Sequence, residues 1–413
     1  MPILARQVCN DARVYLRAGS HPSRSQTIRY HPGNPWLKSE CSGDHLTPAN
    51  EHSFPHHPTL LKSIAAQKKS CQKKRPMNTP EPLAPAQITF FREQGYVIVP
   101  DVFDPADLEP LRQELHHEID QQSRALKVAG KLGNLHDELD FDHRLTAIHR
   151  DSPACGEEII RHLEGARGGG FHARQMFDVI AHPKLLAKVG SLLGSDEIVA
   201  SSVYRLRPKL PNLGRGVVPW HQDSGYFAEH CDEDLIITCW VPMVDATAGN
   251  GCMQILPRGH LGKVVAHRPG GNAGHLVIQD EDLPDDPGKA ITAACPRGGV
   301  VFMTNRTPHC STPNTSGHIR WSVDLRYQSA ETPSNVGLEP GAIDRAGRAE
   351  PGFYEKVNVA CYPPEADFLV SSQRTPHLVT DYAEYARRRE IYDRTKTDFS
   401  AYSRWRKPAP VSA

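Results

Sequence analysis

The spacing of apolar residues changes character about halfway along the chain. In the first half they recur every three or four positions, which predicts helices over 86–93, over the stretch that follows Asp104, and over about 183–193. A short apolar run at 96–99 is typical of a strand. From residue 196 onward, short β-type runs alternate with clusters of Pro, Gly and Asn. Helices in front of many short strands predict an α+β fold with an antiparallel β-core and a helical flank.

Six runs in the second half have the composition of strands. In chain order they are EIVASSVYRLR, LIITCWVPMVD, CMQILP, KVVAH, GGVVFMT and IRWSVDLRYQ. Short strands with turn residues between them are typical of a sandwich, a barrel or a jelly roll. We therefore predict a β-core at about residues 196–330, within a single domain that spans 77–413 and continues into a C-terminal extension.

Residues 1–76 differ in composition from everything that follows. They carry 12 Lys/Arg against 4 Asp/Glu, which leaves 36 against 44 for residues 77–413. Such a segment has too little apolar surface to order itself, and we interpret it as a disordered basic extension. An organelle-targeting peptide is the alternative, because arginines outnumber acids in its early part. The acidic balance of the remaining chain argues against nucleic acid as a partner.

The spacing of the cysteines and the hydropathy of the chain indicate the cellular setting of the protein. None of the ten cysteines forms a C-x-x-C pair, which argues against a structural zinc module and against a disulfide scaffold. No stretch approaches the roughly 18 uninterrupted apolar residues of a membrane span. We therefore expect a cytoplasmic monomer that does not enter a membrane.

The stretch WHQDSGYF places a histidine and a carboxylate two positions apart. In an extended chain, residues i and i+2 project to the same side, so His221 and Asp223 can converge on one point. The later β-region offers His309 as a third ligand, just after an apolar strand. Two histidines and one carboxylate suit a non-haem Fe(II) that must also bind a cosubstrate and O₂. Taken alone, the H-x-D pair is a weak signal.

The last β-type run alternates between apolar and polar residues. The apolar positions are Ile319, Trp321, Val323, Leu325 and Tyr327, and the polar ones are Arg320, Ser322, Asp324 and Arg326. This alternation predicts a strand with one apolar and one polar face. For Arg320 two interpretations stay open: the guanidinium faces solvent, or it binds a carboxylate in a polar pocket.

Four segments together resemble the phytanoyl-CoA dioxygenase family of Fe(II)- and 2-oxoglutarate-dependent oxygenases. They are FREQGYVIVPDVF, WHQD followed by Tyr226, CWVPMVDATAGNGCMQILPRGHLG, and PHCSTPNTSGHIRWSVDLRYQ. The third segment departs from the family pattern, because it reads Pro-Arg-Gly-His at 257–260 where the family usually has Pro-Gly-Ser-His. That departure affects the geometry of a turn and leaves the metal ligands untouched. We expect His260, in this turn, to be structural rather than a ligand.

The resemblance implies a fold and a site. The fold is a cupin-like jelly roll, a double-stranded β-helix flanked by helices. The family holds iron with H-x-D and a distal histidine, here His221, Asp223 and His309. It binds the distal carboxylate of 2-oxoglutarate with an arginine eleven residues after that histidine, here Arg320, and a Ser or Thr two residues after it, here Ser311.

The resemblance also implies a reaction. With O₂ as oxidant, a C–H bond of the substrate is oxidised, and 2-oxoglutarate becomes succinate and CO₂. Because the cofactor carries this chemistry, we assign no protein acid or base beyond the metal ligands. Asp223 favours hydroxylation or a related oxidation, since halogenating relatives have Gly or Ala at this place. We expect Trp240 to wall the cosubstrate pocket, with a core position as the alternative.

Two other classes of function stay open at this point. One is a cupin-like zinc or manganese enzyme without 2-oxoglutarate chemistry, which has no need for an arginine at position 320. The other is a non-catalytic protein that binds a small molecule, for which at least one ligand of the triad should be lost. Specificity in the family lies in variable loops, so the sequence indicates a small organic substrate without naming it.

Overall fold

The computed structural model describes most of the chain from residue 80 onward. The described ranges are 80–165, 171–201, 204–227, 229–270, 275–332 and 367–395, together with residue 405. Contacts divide the chain into two units, Met1–Lys73 and Lys74–Ala413, and every described residue lies in the second. The basic extension predicted at 1–76 lies outside the described residues and stays a prediction.

The described part of the chain contains seven α-helices, six of which precede the β-core. Their bounds are α1 Pro85–Gln94, α2 Pro105–Val128, α3 Phe141–Asp151, α4 Pro153–Glu164, α5 Arg174–Ile180, α6 Pro183–Leu193 and α7 Tyr382–Thr395. The helices predicted over 86–93, after Asp104 and over about 183–193 are therefore present. At the start of α2, Asp107 accepts a hydrogen bond of 2.9 Å from the backbone N–H of Asp104. Helices α3, α4 and α5 were not predicted.

The strands form two facing sheets and a hairpin, all antiparallel. Their bounds are β1 Tyr96–Val99, β2 Ile198–Ser201, β3 Arg205–Lys209, β4 Ile237–Pro242, β5 Met253–Ile255, β6 Arg268–Gly270, β7 His275–Val277, β8 Ile291–Ala293, β9 Val300–Thr304, β10 His309–Ser311, β11 Arg320–Ser329 and β12 Asp367–Ser371. The large sheet has the order β1-β9-β4-β11-β2-β12, and β3 pairs with the first half of β11. The small sheet has the order β10-β5-β8, and β6 pairs with β7.

The large sheet has two buried faces, and each packs against a different partner. One face packs on the helices and includes Trp321, Val323 and Leu325 of β11. The other face packs on the small sheet, with Trp240 and Val301 lying against Met253 and others of its residues. Because side chains alternate along a strand, the polar positions of β11 point into the space between the sheets. The α+β jelly roll is thus confirmed, and the polar face of β11 lines its interior.

The large sheet extends beyond the predicted β-core of 196–330. Strand β1, far upstream, pairs with β9, and β12, downstream, pairs with β2. Strand β1 follows α1 through Gly95, whose φ of 83° lies in the left-handed region. The backbone oxygen of Gly95 accepts hydrogen bonds from Thr304 N and from Thr307 Oγ1, at 3.0 Å and 2.7 Å. The front of the chain is therefore part of the jelly roll.

Within the described ranges, no helix is both long enough and apolar enough to cross a lipid bilayer.

Substituting Gly95 by Ala tests how tightly α1 is joined to the jelly roll. A Cβ atom there would clash with the His260 ring and lie 2.8 Å from Thr307 Oγ1, in addition to the strain of a positive φ. We expect Gly95→Ala to lower the free energy of unfolding by about 3 kcal/mol, measured by urea denaturation. Gly130 is the matched control, because its φ is 71° but a Cβ would meet no atom within 4 Å. Gly130→Ala should cost about 1 kcal/mol, and equal losses for the two variants would contradict the packing argument.

Candidate active site

Two backbone hydrogen bonds join the segment that carries the H-x-D pair to the strand that carries the distal histidine. His221 N donates to His309 O at 3.0 Å, and His309 N donates to His221 O at 2.9 Å. His309 begins β10, which pairs with β5 of the small sheet. Asp223 begins a short 3₁₀ turn that ends at Tyr226. The reciprocal pair therefore fixes two segments that are far apart in sequence at one edge of the jelly roll.

The three predicted ligands form a compact buried cluster. One ligand atom from each of His221, Asp223 and His309 lies within 4.8 Å of those of the other two. The His221 and His309 rings have their centroids 4.2 Å apart, and His221 Nε2 is 3.8 Å from Asp223 Oδ1. Among the described residues, this is the one group of three or more His, Cys, Asp or Glu side chains that is arranged to hold a metal.

Both imidazoles are held in the tautomer that a metal ligand needs. His221 Nδ1 lies 2.9 Å from Pro219 O, and His309 Nδ1 lies 2.9 Å from Thr307 O. A carbonyl can only accept, so each Nδ1 carries a proton, and Nε2 is the nitrogen of each ring that a metal would bind. Burial and the neighbouring His309 lower the pKa of His221 well below its ordinary value, which keeps this ring neutral. The donor set of two imidazole nitrogens and one carboxylate fits Fe(II).

Asp223 is held as a carboxylate by a cation and a hydroxyl group. Arg326 donates to Oδ1 from Nη2 at 2.8 Å and to Oδ2 from Nε at 3.2 Å. Thr238 Oγ1 also donates to Oδ2. Burial alone would favour the neutral acid, but Arg326 and the nearby imidazoles hold the pKa of Asp223 well below its ordinary value. The carboxylate therefore stays charged and fixed in orientation.

The residue between the ligands anchors the segment from behind. The Gln222 side chain accepts from Val265 N at 3.0 Å and donates to Arg306 O at 2.8 Å, on the side away from the cluster. Its backbone N–H donates to His267 Nε2 at 2.9 Å. Trp405, near the C-terminus, donates from Nε1 to Gly225 O at 2.7 Å. These contacts hold the H-x-D segment in one conformation, as a preformed metal site requires.

Arg320 is buried inside the jelly roll, which excludes the solvent-facing interpretation. It is 3 % exposed, its Nη2 donates to Gly251 O at 3.3 Å, and its Nη1 donates to Ser322 Oγ. Its Nε has no hydrogen-bond partner, and no carboxylate of the described residues forms an ion pair with the guanidinium. Burial lowers the pKa of Arg320 to about 10, so the group stays charged. A buried cation with an unused donor fits an anionic ligand such as a carboxylate.

Ser311 and Trp240 lie beside this cation. Ser311 Oγ accepts hydrogen bonds from Lys209 Nζ at 2.8 Å and from Val218 N at 3.0 Å. Both lone pairs of the oxygen are thus used, and its proton has no acceptor among the described residues. Trp240 is buried between the sheets, and the centroid of its ring lies 5.3 Å from the Arg320 guanidinium carbon. Trp240 is therefore both a core residue and a neighbour of the arginine.

Sequence reasoning gave no role to three residues that contact the predicted ones. Arg326 was placed on the polar face of β11, and the same period-two alternation that marks Arg320 also marks it. Lys209 ends the run Arg-Leu-Arg-Pro-Lys of β3, in which polar residues again alternate. Thr238 carries no comparable signal, because it lies in an otherwise apolar strand that is buried throughout. His260, as predicted, stays away from the cluster, and its Nε2 is bonded to Arg92 O at 3.0 Å.

A jelly roll with a buried cluster of two histidines and one aspartate defines the class of non-haem iron oxygenases. Residues 91–322, more than half of the chain, match the family model "Phytanoyl-CoA dioxygenase (PhyH)". The chain therefore belongs to the phytanoyl-CoA dioxygenase family. It is an Fe(II)- and 2-oxoglutarate-dependent dioxygenase that oxidises a small molecule, and iron, 2-oxoglutarate and O₂ are its cofactor and cosubstrates.

The individual relatives are distant. Human peroxisomal phytanoyl-CoA dioxygenase is 21 % identical over 250 residues, covering 59 % of this chain and 68 % of its own. Mouse phytanoyl-CoA dioxygenase domain-containing protein 1 is 26 % identical over 274 residues, covering 60 % and 91 %. Among solved structures, the apo form of the non-haem monooxygenase ThoJ matches with a TM-score of 0.43 at 18 % identity, covering 75 % and 98 %.

Removing Arg326 tests its role as the counter-ion of Asp223. In Arg326→Met the carboxylate keeps its buried position, since the Asp223 and Arg326 side chains are 2 % and 12 % exposed, but loses its charge partner. We expect the metal-free protein to lose about 3 kcal/mol of unfolding free energy, measured by denaturant titration.

The control variant is Arg207→Met, which removes the partner of Asp324 on the same face of the sheet. This pair is more exposed, at 30 % and 14 %, and its loss should cost about 1 kcal/mol. If Arg326→Met were as stable as the wild type, Asp223 would not depend on this cation.

Proposed function

We propose that His221, Asp223 and His309 hold the iron, and that Arg320 and Ser311 bind the distal carboxylate of 2-oxoglutarate. The observation that carries this proposal is the donor set. Two imidazoles, each with Nδ1 facing a backbone carbonyl, keep Nε2 available for a metal beside a carboxylate that is already charged. Trp240 flanks the arginine and limits the pocket on that side.

The protein's part in the reaction is binding and orientation. Bound iron supplies the activation of O₂, coupled to the conversion of 2-oxoglutarate to succinate and CO₂ and to the oxidation of a substrate C–H bond. Arg326 and Thr238 keep the Asp223 carboxylate in one orientation, while the backbone carbonyls keep both imidazoles in theirs. Burial of all three ligands excludes water from the reacting centre. No protein acid or base is needed.

We further propose that the substrate approaches past Tyr226. This residue follows the ligand segment, and its side chain is 45 % exposed although its ring centroid is only 5.9 Å from that of His221. Its hydroxyl accepts a hydrogen bond of 2.9 Å from Leu276 N in β7, which ties the β6–β7 hairpin to the same place. An exposed aromatic ring next to a buried ligand suits a small organic molecule.

We also propose that residues 77–413 act as one oxygenase domain, and that the chain works as a cytoplasmic monomer. Six described cysteines are free and buried, which suits a reducing compartment. A sedimenting mass of twice the chain's 45.8 kDa would contradict the monomer.

Anaerobic titration tests the site directly. Fe(II) followed by 2-oxoglutarate should produce the weak visible charge-transfer band of the chelated cosubstrate in the wild type. His309→Ala should abolish the band, because two ligands do not hold the metal. Arg320→Ala should keep it but need at least about tenfold more 2-oxoglutarate, the loss expected for one charge-assisted hydrogen bond.

His318→Ala is the matched control, since His318 lies in the turn between β10 and β11 and is not in the cluster. It should titrate like the wild type. A protein that binds iron without giving a band would contradict the assignment of Arg320 and Ser311. A band that survives His309→Ala would contradict the ligand set.

A further inference from the structure

Lys209 is a second buried cation next to Arg320. It is the last residue of β3 and lies directly opposite Arg320 in the register with β11. Directly opposed residues on antiparallel strands project to the same face, so both side chains enter the space between the sheets. Lys209 is 2 % exposed, and it is among the largest side chains that are fully buried. Two cations are thus buried side by side.

All three donors of the Lys209 ammonium group are used on neutral oxygens. It donates to Ser311 Oγ at 2.8 Å, to Gly251 O at 3.3 Å and to Thr312 O. The Gly251 carbonyl also accepts from Arg320, so the two cations share an acceptor. Burial and then the charge of Arg320 lower the pKa of Lys209 to about 7. The surroundings therefore satisfy the hydrogen bonds of Lys209 and leave its charge without a counter-ion.

Two other cations of the same face are neutralised. Arg207 pairs with Asp324 at 2.8 Å, and Arg326 pairs with Asp223 at 2.8 Å. No described carboxylate forms an ion pair with Lys209 or Arg320. Asp324 attracts Arg320 as well, but it is already paired with Arg207. Two buried positive charges without an ion-pair partner of their own are costly unless a ligand supplies negative charge. The positive charge of Lys209 and Arg320 therefore lies beside Ser311, whose hydroxyl proton also lacks an acceptor among the described residues.

We propose that Lys209 is a positioning residue that makes the cosubstrate pocket selective for a 2-oxo acid with a second, distal carboxylate. It acts in two ways. In its protonated form, which a bound dianion favours, its charge adds to that of Arg320, and its hydrogen bond to Ser311 Oγ turns the serine proton toward the ligand. Because its own donors are engaged, Lys209 needs no direct contact with the carboxylate. This inference rests on the proposed roles of Arg320 and Ser311.

The test compares two ligands of equal length in the same variants. The ligands are 2-oxoglutarate and 2-oxopentanoate, which has a methyl group in place of the distal carboxylate. Dissociation constants are measured anaerobically from the charge-transfer band of the Fe(II) protein. The variants are Lys209→Met, which removes charge and donors, and Lys209→Gln, which removes the charge and keeps a donor. Lys289→Gln is the control, because Lys289 is exposed and pairs with Asp285 outside the site.

We expect both Lys209 variants to lower the preference for 2-oxoglutarate over 2-oxopentanoate by about tenfold or more, as for one buried charge-assisted interaction. Affinity for 2-oxopentanoate should change little, and Lys289→Gln should keep the wild-type preference. If Lys209→Met does not fold, Lys209→Gln decides, since its amide can still donate to the Gly251 or Thr312 carbonyl.

Two outcomes overturn the inference, and they can be told apart. If the Lys209 variants bind both ligands more weakly by the same factor, or if neither dissociation constant changes, Lys209 has only a structural role. The proposed function still stands in that case, provided that the wild type prefers 2-oxoglutarate and that Arg320→Ala loses this preference. If the wild type does not prefer 2-oxoglutarate over 2-oxopentanoate, the proposed distal-carboxylate site fails, and the inference fails with it.

Discussion

The reciprocal backbone hydrogen bonds between His221 and His309 are the constraint on which the rest of the site depends. They join the first residue of β10 to a loop that belongs to neither sheet. This connection closes the interior of the jelly roll at that edge. Each imidazole is then oriented by a carbonyl two residues earlier in its own chain segment. The geometry of the proposed ligands is therefore set by the backbone before a metal binds, which lowers the entropic cost of binding.

The interior of the jelly roll is organised by charge. The side chains of β3 and β11 that point inward include four cations, Arg207, Lys209, Arg320 and Arg326. Two of them pair with Asp324 and Asp223, and the other two form no ion pair with a described acid. Charges are expensive to bury, so an uncompensated pair is tolerated only where something outside the chain compensates it. The proposed binding of a dianionic cosubstrate beside Arg320 meets that requirement.

The helical layer fixes which face of β11 points inward. Trp321 is fully buried and stacks on Phe141 of α3, with ring centroids 4.7 Å apart. The Arg112 guanidinium of α2 lies over the Phe141 ring and pairs with Asp142 at 3.1 Å, which connects α2 to α3. A slip of one residue in β11 would expose the apolar row and send Arg320 and Arg326 into the helices. The helices that the sequence did not predict are thus part of what positions the site.

By itself the sequence determined helices α1, α2 and α6, most strands of the β-core and the class of chemistry, although the run KVVAH forms no strand. Period-two alternation in 319–327 predicted the polar face of β11, and the resemblance of four segments, with His221, Asp223, His309 and Arg320 among them, indicated the family and its cosubstrate. Helices α3 and α4 carry buried apolar residues at helical spacing, for example Phe141, Leu145 and Ile148, so the signal was present in the sequence but was not used. Helix α5 has only seven residues, too few to show a period. Only the tertiary structure decided that Arg326 holds Asp223 and that Lys209 lies against Ser311 and opposite Arg320. Periodicity assigns a side chain to a face, whereas strand register and the packing of one sheet on another determine which residues from distant segments meet there.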